Sequence, residues 1–395
     1  MNYTLIDTPT NLQRICDDFQ IALQHDNRIA IDTEFVGEQT YEPQLMLIQI
    51  ATAYGHIALI DAKVLAGKMQ ALANLLGAPD RLKIMHAGGQ DVPILNANLG
   101  EISGPWFDTQ IAAAYVGYPL QTGYARLVEA ETRVKLDKGE SLSDWGRRPI
   151  PTSMLTYAAD DVRYLHGIHN NLAARLAELD RTAWNNEGVE EMVRSVTEKL
   201  AASELWRKVT GHTGLDRRGL AILRELCLWR DDEARRRDKP RRSIIKDEPL
   251  IELARRAPST TSAAMNLRSL PPSLGDRRLA ELVERIKIGL AVPANQQPRL
   301  DYVSTSLDEH GAALYELLLA VVRVRAIEAN IAPTLLAPSD PLRRLATSRK
   351  IDDVARIFPG WRGDLIGDDL RAALNGKLSV AWDTQAERLV CRHDY

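Results

Sequence analysis

Two carboxylates stand two residues apart at the end of an apolar run, Ile29-Ala30-Ile31-Asp32-Thr33-Glu34-Phe35-Val36. In an extended strand alternate side chains share a face, so Asp32 and Glu34 point the same way. Side by side in apolar surroundings they repel each other and lose hydration, and a bound cation relieves both penalties. The guest that such oxygen ligands suit is a hard divalent ion. Read locally, the pair also fits an ordinary strand end, with Asp32 in a turn and Glu34 paired to an arginine.

Further acids recur in places suited to the same work. In His86-Ala87-Gly88-Gly89-Gln90-Asp91 the glycines open a turn, and Asp91 falls just inside a helix start, where the backbone dipole favours an anion. In Tyr157-Ala158-Ala159-Asp160-Asp161 the helical period puts Tyr157 and Asp161 on one face and displaces Asp160. Asp160 stays open as a substitute for its neighbour, since a small rotation exchanges adjacent acids at a helix end. Each motif has a plainer alternative: a helix-start acid for Asp91, an i,i+4 hydrogen bond for Tyr157 and Asp161. Asp108 reads as a helix N-cap.

These residues must be carried by alternating strands and helices. Residues 4–28 read as a short strand and an amphipathic helix, with Leu12, Ile15, Cys16, Phe19 and Leu23 at helical spacing. The Asp32 strand follows, then strands at Leu45–Ile50 and His56–Ile60, so that the first strands form a meander. A helix through Leu76, a buried strand at Lys83–His86, the Asp91 helix and a helix opening at Trp106-Phe107-Asp108-Thr109 complete a mixed α/β sheet.

The chain has 395 residues, enough for two or three domains. Residues 1–200 carry 17 Lys and Arg against 26 Asp and Glu, a net of −9; the remainder carries 33 against 27, a net of +6. An acidic half holding carboxylates beside a basic half suited to phosphates fits a nucleic-acid enzyme. The three cysteines, Cys16, Cys227 and Cys391, lie too far apart to suggest a disulfide framework or a zinc site. The sequence offers neither a membrane-spanning run nor an apolar leader, and a cytoplasmic location is expected.

Asp-Thr-Glu-Phe at 32–35, His-Ala-Gly-Gly-Gln-Asp at 86–91 and Tyr-Ala-Ala-Asp-Asp at 157–161 resemble the three motifs of the DEDDy 3′–5′ exonucleases, the ribonuclease D family among them. The later sequence is similar to a pair of helical HRDC domains, the first around Leu226–Arg235 and Ile251–Ala254, the second around Arg323–Glu328 and Phe358–Arg362. Between them, Ala291–Pro298 reads as a linker. The resemblance implies a ribonuclease H-like α/β exonuclease domain over 1–200 and all-α HRDC-like domains over 205–290 and 299–385.

It also implies a role for each residue. Asp32, Glu34, Asp91 and Asp161 would ligate two divalent ions, Mg²⁺ or Mn²⁺, and Tyr157 would orient or deprotonate the attacking water. Thr33, Phe35, His86 and Gln90 flank the cluster as candidates for the terminal-nucleotide pocket, although alternation turns Thr33 and Phe35 away from the acids. Arg235, Arg236, Arg237, Lys239, Arg241 and Arg242 would grip RNA phosphates, or else form a solvated basic helix end balanced by Asp231, Asp232 and Glu233. The implied substrate is the 3′ end of structured RNA such as a tRNA precursor. A DNA-directed exonuclease shares the acids, and a non-catalytic RNA-binding scaffold shares the fold.

Overall fold

The computed structural model describes residues 3–393 except 38, 137–138, 141–142, 199, 272–273 and 301–306. The chain forms two compact units. One comprises Met1–Glu34, Met46–Val196 and Thr305–Tyr395; the other comprises Phe35–Leu45 and Thr197–Ser304.

The first unit begins β1 (Thr4–Ile6), α1 (Pro9–Ala22), β2 (Arg28–Val36), β3 (Gln44–Thr52), β4 (Ile57–Ile60), α2 (Gln70–Leu76) and β5 (Leu82–Met85). It continues through α3 (Asp91–Leu99), β6 (Trp106–Asp108), α4 (Thr109–Tyr115), α5 (Tyr124–Thr132), α6 (Thr152–Arg163), α7 (Leu165–Glu178) and α8 (Thr182–Thr197). Among the described residues the strands make one mixed sheet in the order β1-β4-β3-β2-β5-β6. β1 with β4, β2 with β5 and β5 with β6 run parallel, whereas β3 and β4 are antiparallel.

β2 and β3 lie at the centre, and all of β3 beyond Gln44 is buried, as expected of a strand covered on both faces. On α1 the buried residues are Leu12, Cys16 and Phe19, one stripe of the helix. Thr8 caps its start by accepting from the Asn11 amide, and Pro9 fills a position that needs no N–H. Trp106–Asp108, expected to begin a helix, instead pairs with β5 as strand β6, and the helix starts at Thr109. Three residues are too few to show alternation, and the capping Asp108 dominates their pattern.

The second unit holds α9 (Arg217–Arg236), α10 (Arg241–Ile244), α11 (Asp247–Arg256), α12 (Thr261–Met265) and α13 (Gly275–Leu290). Trp206, Leu226, Leu250, Leu282 and Ile286 are among the residues of its own apolar core. Gly289 allows α13 to cross α9 closely, because a Cβ there would stand 2.5 Å from the Ile222 Cα.

The remaining helices belong to the first unit: α14 (Glu309–Glu328), α15 (Pro333–Leu336), α16 (Ser339–Ser348), α17 (Asp353–Ile357) and α18 (Trp361–Leu374). Trp361 stacks on Trp184 of α8 with ring centres 4.4 Å apart. Arg181 donates to the carbonyls of Tyr115 and Ala329, both at 2.7 Å. After α18 the chain forms an antiparallel hairpin, β7 (Leu378–Asp383) and β8 (Arg388–His393), which the helical reading of this region did not contain.

Candidate metal centre

The acids meet because three elements end at one place. β2 carries Asp32 and Glu34; α3, which follows the neighbouring strand β5, begins with Asp91; one face of α6 carries Tyr157 and Asp161. Asp32, Glu34 and Asp161 each offer a carboxylate oxygen within 4.8 Å of the others'. Asp91 joins them electrostatically and accepts a hydrogen bond from the Thr33 hydroxyl.

The electrostatics are those of crowded anions. Burial, and then the charges of Asp91, Asp161 and Glu34, hold the Asp32 carboxyl well above the usual range. Burial followed by Asp161 and Asp91 pushes Glu34 up to about 9; burial and then Asp160 pushes Asp161 up to about 8. Asp91 rises only to about 6, since burial is opposed by the Thr33 hydrogen bond. The Tyr157 phenol is driven upward by burial, then by Asp161, Glu34 and Asp32. Among the described residues, no cationic side chain counts among the main causes acting on these five groups. A set of oxygen donors whose ionised forms repel one another fits a divalent cation, which removes the repulsion.

Buried polar contacts fasten each carrying element. The carboxylate of Asp108, 1 % exposed, caps α4 by accepting from Gln110 and Ile111 at 2.8 and 3.2 Å. The same carboxylate accepts from the Ala87 and Gly88 amides at 3.1 and 2.9 Å, fixing the turn that delivers Asp91. Gly88 leaves room there for the buried Met85 side chain, since a Cβ would fall 1.7 Å from the Met85 sulfur. On the other side Arg148 donates to both Asp61 oxygens at 2.6 and 2.7 Å, and to the carbonyls of Met46, Trp145 and Arg147. This binds the segment ahead of α6 to the sheet, and the buried Trp145 ring comes to rest 6.3 Å from the Tyr157 ring.

Residues 3–177 match the 3′–5′ exonuclease family, and residues 219–286 match the HRDC domain. Over 98 % of its length the chain is 33 % identical to a ribonuclease D of Granulibacter bethesdensis, of which it covers 96 %. A ribonuclease D of Zymomonas mobilis is also 33 % identical, with 96 % of each chain covered. The crystal structure of Escherichia coli RNase D superimposes with a TM-score of 0.80 at 29 % identity, over 95 % of this chain and 99 % of that one. That protein is described as an exoribonuclease involved in structured RNA processing.

The chain belongs to the ribonuclease D family. It is a 3′–5′ exoribonuclease, and its acidic cluster is compatible with the divalent metal on which enzymes of this kind depend. An HRDC domain follows the exonuclease domain along the chain. Among the described residues no helix is long and apolar enough to cross a membrane.

The other candidate residues lie in varied surroundings. Asp160 is turned to Arg163, with which it pairs at 2.6 Å, and not into the cluster. Thr33 is buried with its hydroxyl committed to Asp91; Phe35 is half-buried; Gln90 is exposed at the start of α3. Thr109 donates to the Met85 carbonyl at 3.0 Å, so Nδ1 of His86, 2.9 Å from that hydroxyl, carries the proton between them. All six basic candidates have protein partners. Arg235 and Arg241 pair with Asp231, Arg236 and Arg237 with Glu233, and Arg242 with Asp247; Lys239 donates to the Gln39 carbonyl.

Tyr124 was not singled out in the sequence. It packs beside His86, ring centres 5.4 Å apart, donates to the Asp160 carbonyl at 3.0 Å, and feels the Asp161 charge. Asp61, Trp145 and Arg148 were missed in the same way. Their only local sign is the Arg148-Pro149 pair ahead of α6, because each acts through a partner remote in sequence.

Proposed function

We propose that Asp32, Glu34, Asp91 and Asp161 hold two divalent ions, Mg²⁺ or Mn²⁺, and that this centre removes nucleoside 5′-monophosphates from RNA 3′ ends. The observation that carries the reading is the convergence of Asp32, Glu34 and Asp161, with the charge of Asp91 acting on the first two and, among the described residues, no cationic side chain named among the causes of their shifts. When bound, such ions supply positive charge for the phosphate oxygens and make the attacking water more acidic.

The reaction adds the water oxygen to the terminal phosphorus and breaks the bond to the 3′ oxygen of the preceding nucleotide. The leaving oxygen takes a proton and becomes the new 3′ hydroxyl. Burial and then the charges of Asp161, Glu34 and Asp32 push the Tyr157 phenol upward in the metal-free site, and the part assigned to it on this reading is to orient the water. Thr33 holds the Asp91 carboxylate, and Asp108 holds the turn before it.

The substrates on this reading are structured RNAs in the cytoplasm, tRNA precursors among them, in keeping with the role described for the Escherichia coli relative. The exonuclease region over 1–200 performs the hydrolysis, and HRDC-like regions over 205–290 and 299–385 bind the RNA body through charge and shape. Of the six basic candidates, Arg236 and Arg242 have the most exposed side chains among the arginines, whereas Arg235 and Arg241 are also engaged by Tyr41. RNA labelled at its 5′ end, incubated with and without Mg²⁺, should shorten one nucleotide at a time only with metal, and a matched DNA should compete poorly. Absence of mononucleotide release would refute the proposal; equal digestion of the DNA would refute its substrate class.

A further inference from the structure

α6 and α7 follow one another with a single residue, Tyr164, between them. Neither proline nor glycine stands between Asp160 and His166, so the usual local causes of a helix break are missing. What interrupts the helix is a side chain from α5. The Tyr124 hydroxyl donates to the Asp160 carbonyl at 3.0 Å, the oxygen that an unbroken helix would offer to the Tyr164 amide. That amide meets the Val162 carbonyl and is a hydrogen-bonding partner of the same phenol. A hydroxyl thus stands where one rung of the ladder would run, and such an insertion breaks a helix that has no proline.

The break falls beside the chemistry. Asp161 follows Asp160 directly, and Tyr157 lies one turn earlier on the Asp161 face. The Tyr124 ring packs beside His86, centres 5.4 Å apart, where β5 has ended and the turn to Asp91 begins. Beyond the break α7 packs on α4, α5 and β5, while α6 lies against β4. Tyr124 therefore joins the strand end ahead of Asp91 to the helix end that carries Asp161, and all of these groups belong to the sheet unit.

We propose that Tyr124 is a positioning residue for the metal centre: its hydroxyl, set into the helix between Asp160 and Tyr164, fixes the end of α6 that presents Tyr157 and Asp161. This rests on Asp161 being a metal ligand. Without the hydroxyl the Asp160 carbonyl is one of the unpaired acceptors of a helix C-terminus, and the last turn of α6 opens more often. The carboxylate of Asp161 then meets a metal ion less often in the right place.

The test is Tyr124→Phe in the full-length chain, which removes the hydroxyl and keeps the ring beside His86. In the metal-free protein, hydrogen exchange at amides 160–163 should quicken about fivefold, the scale of one net hydrogen bond, while β1 and α1 keep their rates. The Mg²⁺ concentration for half-maximal digestion should rise about threefold or more and kcat should fall about tenfold, with KM for RNA unchanged. Wild-type exchange and metal dependence would overturn the proposal, since the ring alone would then suffice. So would faster exchange spread evenly over the sheet with an unchanged metal requirement, or a variant that does not fold, either of which gives the hydroxyl a purely structural role. Full activity in Asp161→Asn would refute Asp161 as a ligand, while exchange in the metal-free protein would still decide whether Tyr124 holds the helix.

Discussion

Glu34→Gln should make the metal-free protein more stable while abolishing its activity. Burial and two neighbouring acids push the Glu34 carboxyl up to about 9 from an ordinary value of 4.5. Below pH 4.5 the group is protonated whether the chain is folded or not, and it adds nothing. Between the two values the unfolded chain loses the proton and the folded chain keeps it, so unfolding gains about 1.4 kcal/mol per pH unit. At pH 7 that comes to about 3 kcal/mol against the fold, and the penalty levels off above pH 9. Glutamine carries no charge in either state and escapes it.

The measurement is hydrogen exchange of β2 and β5 amides against urea in EDTA, which reads this sheet and not the helical unit. The expected gain is near zero at pH 4.5 and about 3 kcal/mol at pH 7. Adding Mg²⁺ at about a hundred times its Kd should nearly close the gap, because it stabilises the wild type by about 2.7 kcal/mol and the variant far less. A gain of the same size at both pH values would trace it to packing and refute the charge argument. No gain at pH 7 would refute the crowded-anion account altogether.

Tyr157→Phe should lower kcat by about a hundredfold with little change in RNA binding, since the phenol acts on the water alone; single-turnover rates beside binding curves check this. Asp161→Asn should reduce the rate by at least about a hundredfold, as expected of a lost charge-stabilising group, and Asp160→Asn by less than about twofold, because its ion pair with Arg163 is partly exposed. Equal losses from the two would return Asp160 to the site. Arg148→Lys keeps the charge but loses the fork on the buried Asp61; a stability loss of about 2–4 kcal/mol and a fall in kcat at nearly constant KM are expected from urea titration and steady-state kinetics.

The parts of the centre legible in the sequence obey a local period. Asp32 and Glu34 share a face because a strand alternates, Tyr157 and Asp161 because a helix turns every 3.6 residues, and Asp91 and Asp108 mark helix starts. Thr33 shows how far such reasoning reaches. Alternation places it off the Asp32 face, and it is buried there. Its bond to Asp91 depends on β5 lying beside β2, a pairing 54 residues along the chain that no strand period encodes.

The basic run at 235–242 carries the same argument further. A row of cations suggests phosphates, and the balancing acids Asp231 and Glu233 were visible four residues before Arg235 and Arg237 on one helix. What no local rule supplies is Tyr41, some 190 residues earlier, which turns two of those cations from solvent-facing charges into a seat for an aromatic ring. A side chain's neighbours along a helix set which charges are neutralised, but the fold decides what the remaining donors hold. Here they hold Tyr41 of the connection between two central strands, so the same arginines that look like RNA contacts in the sequence are partly committed inside the fold.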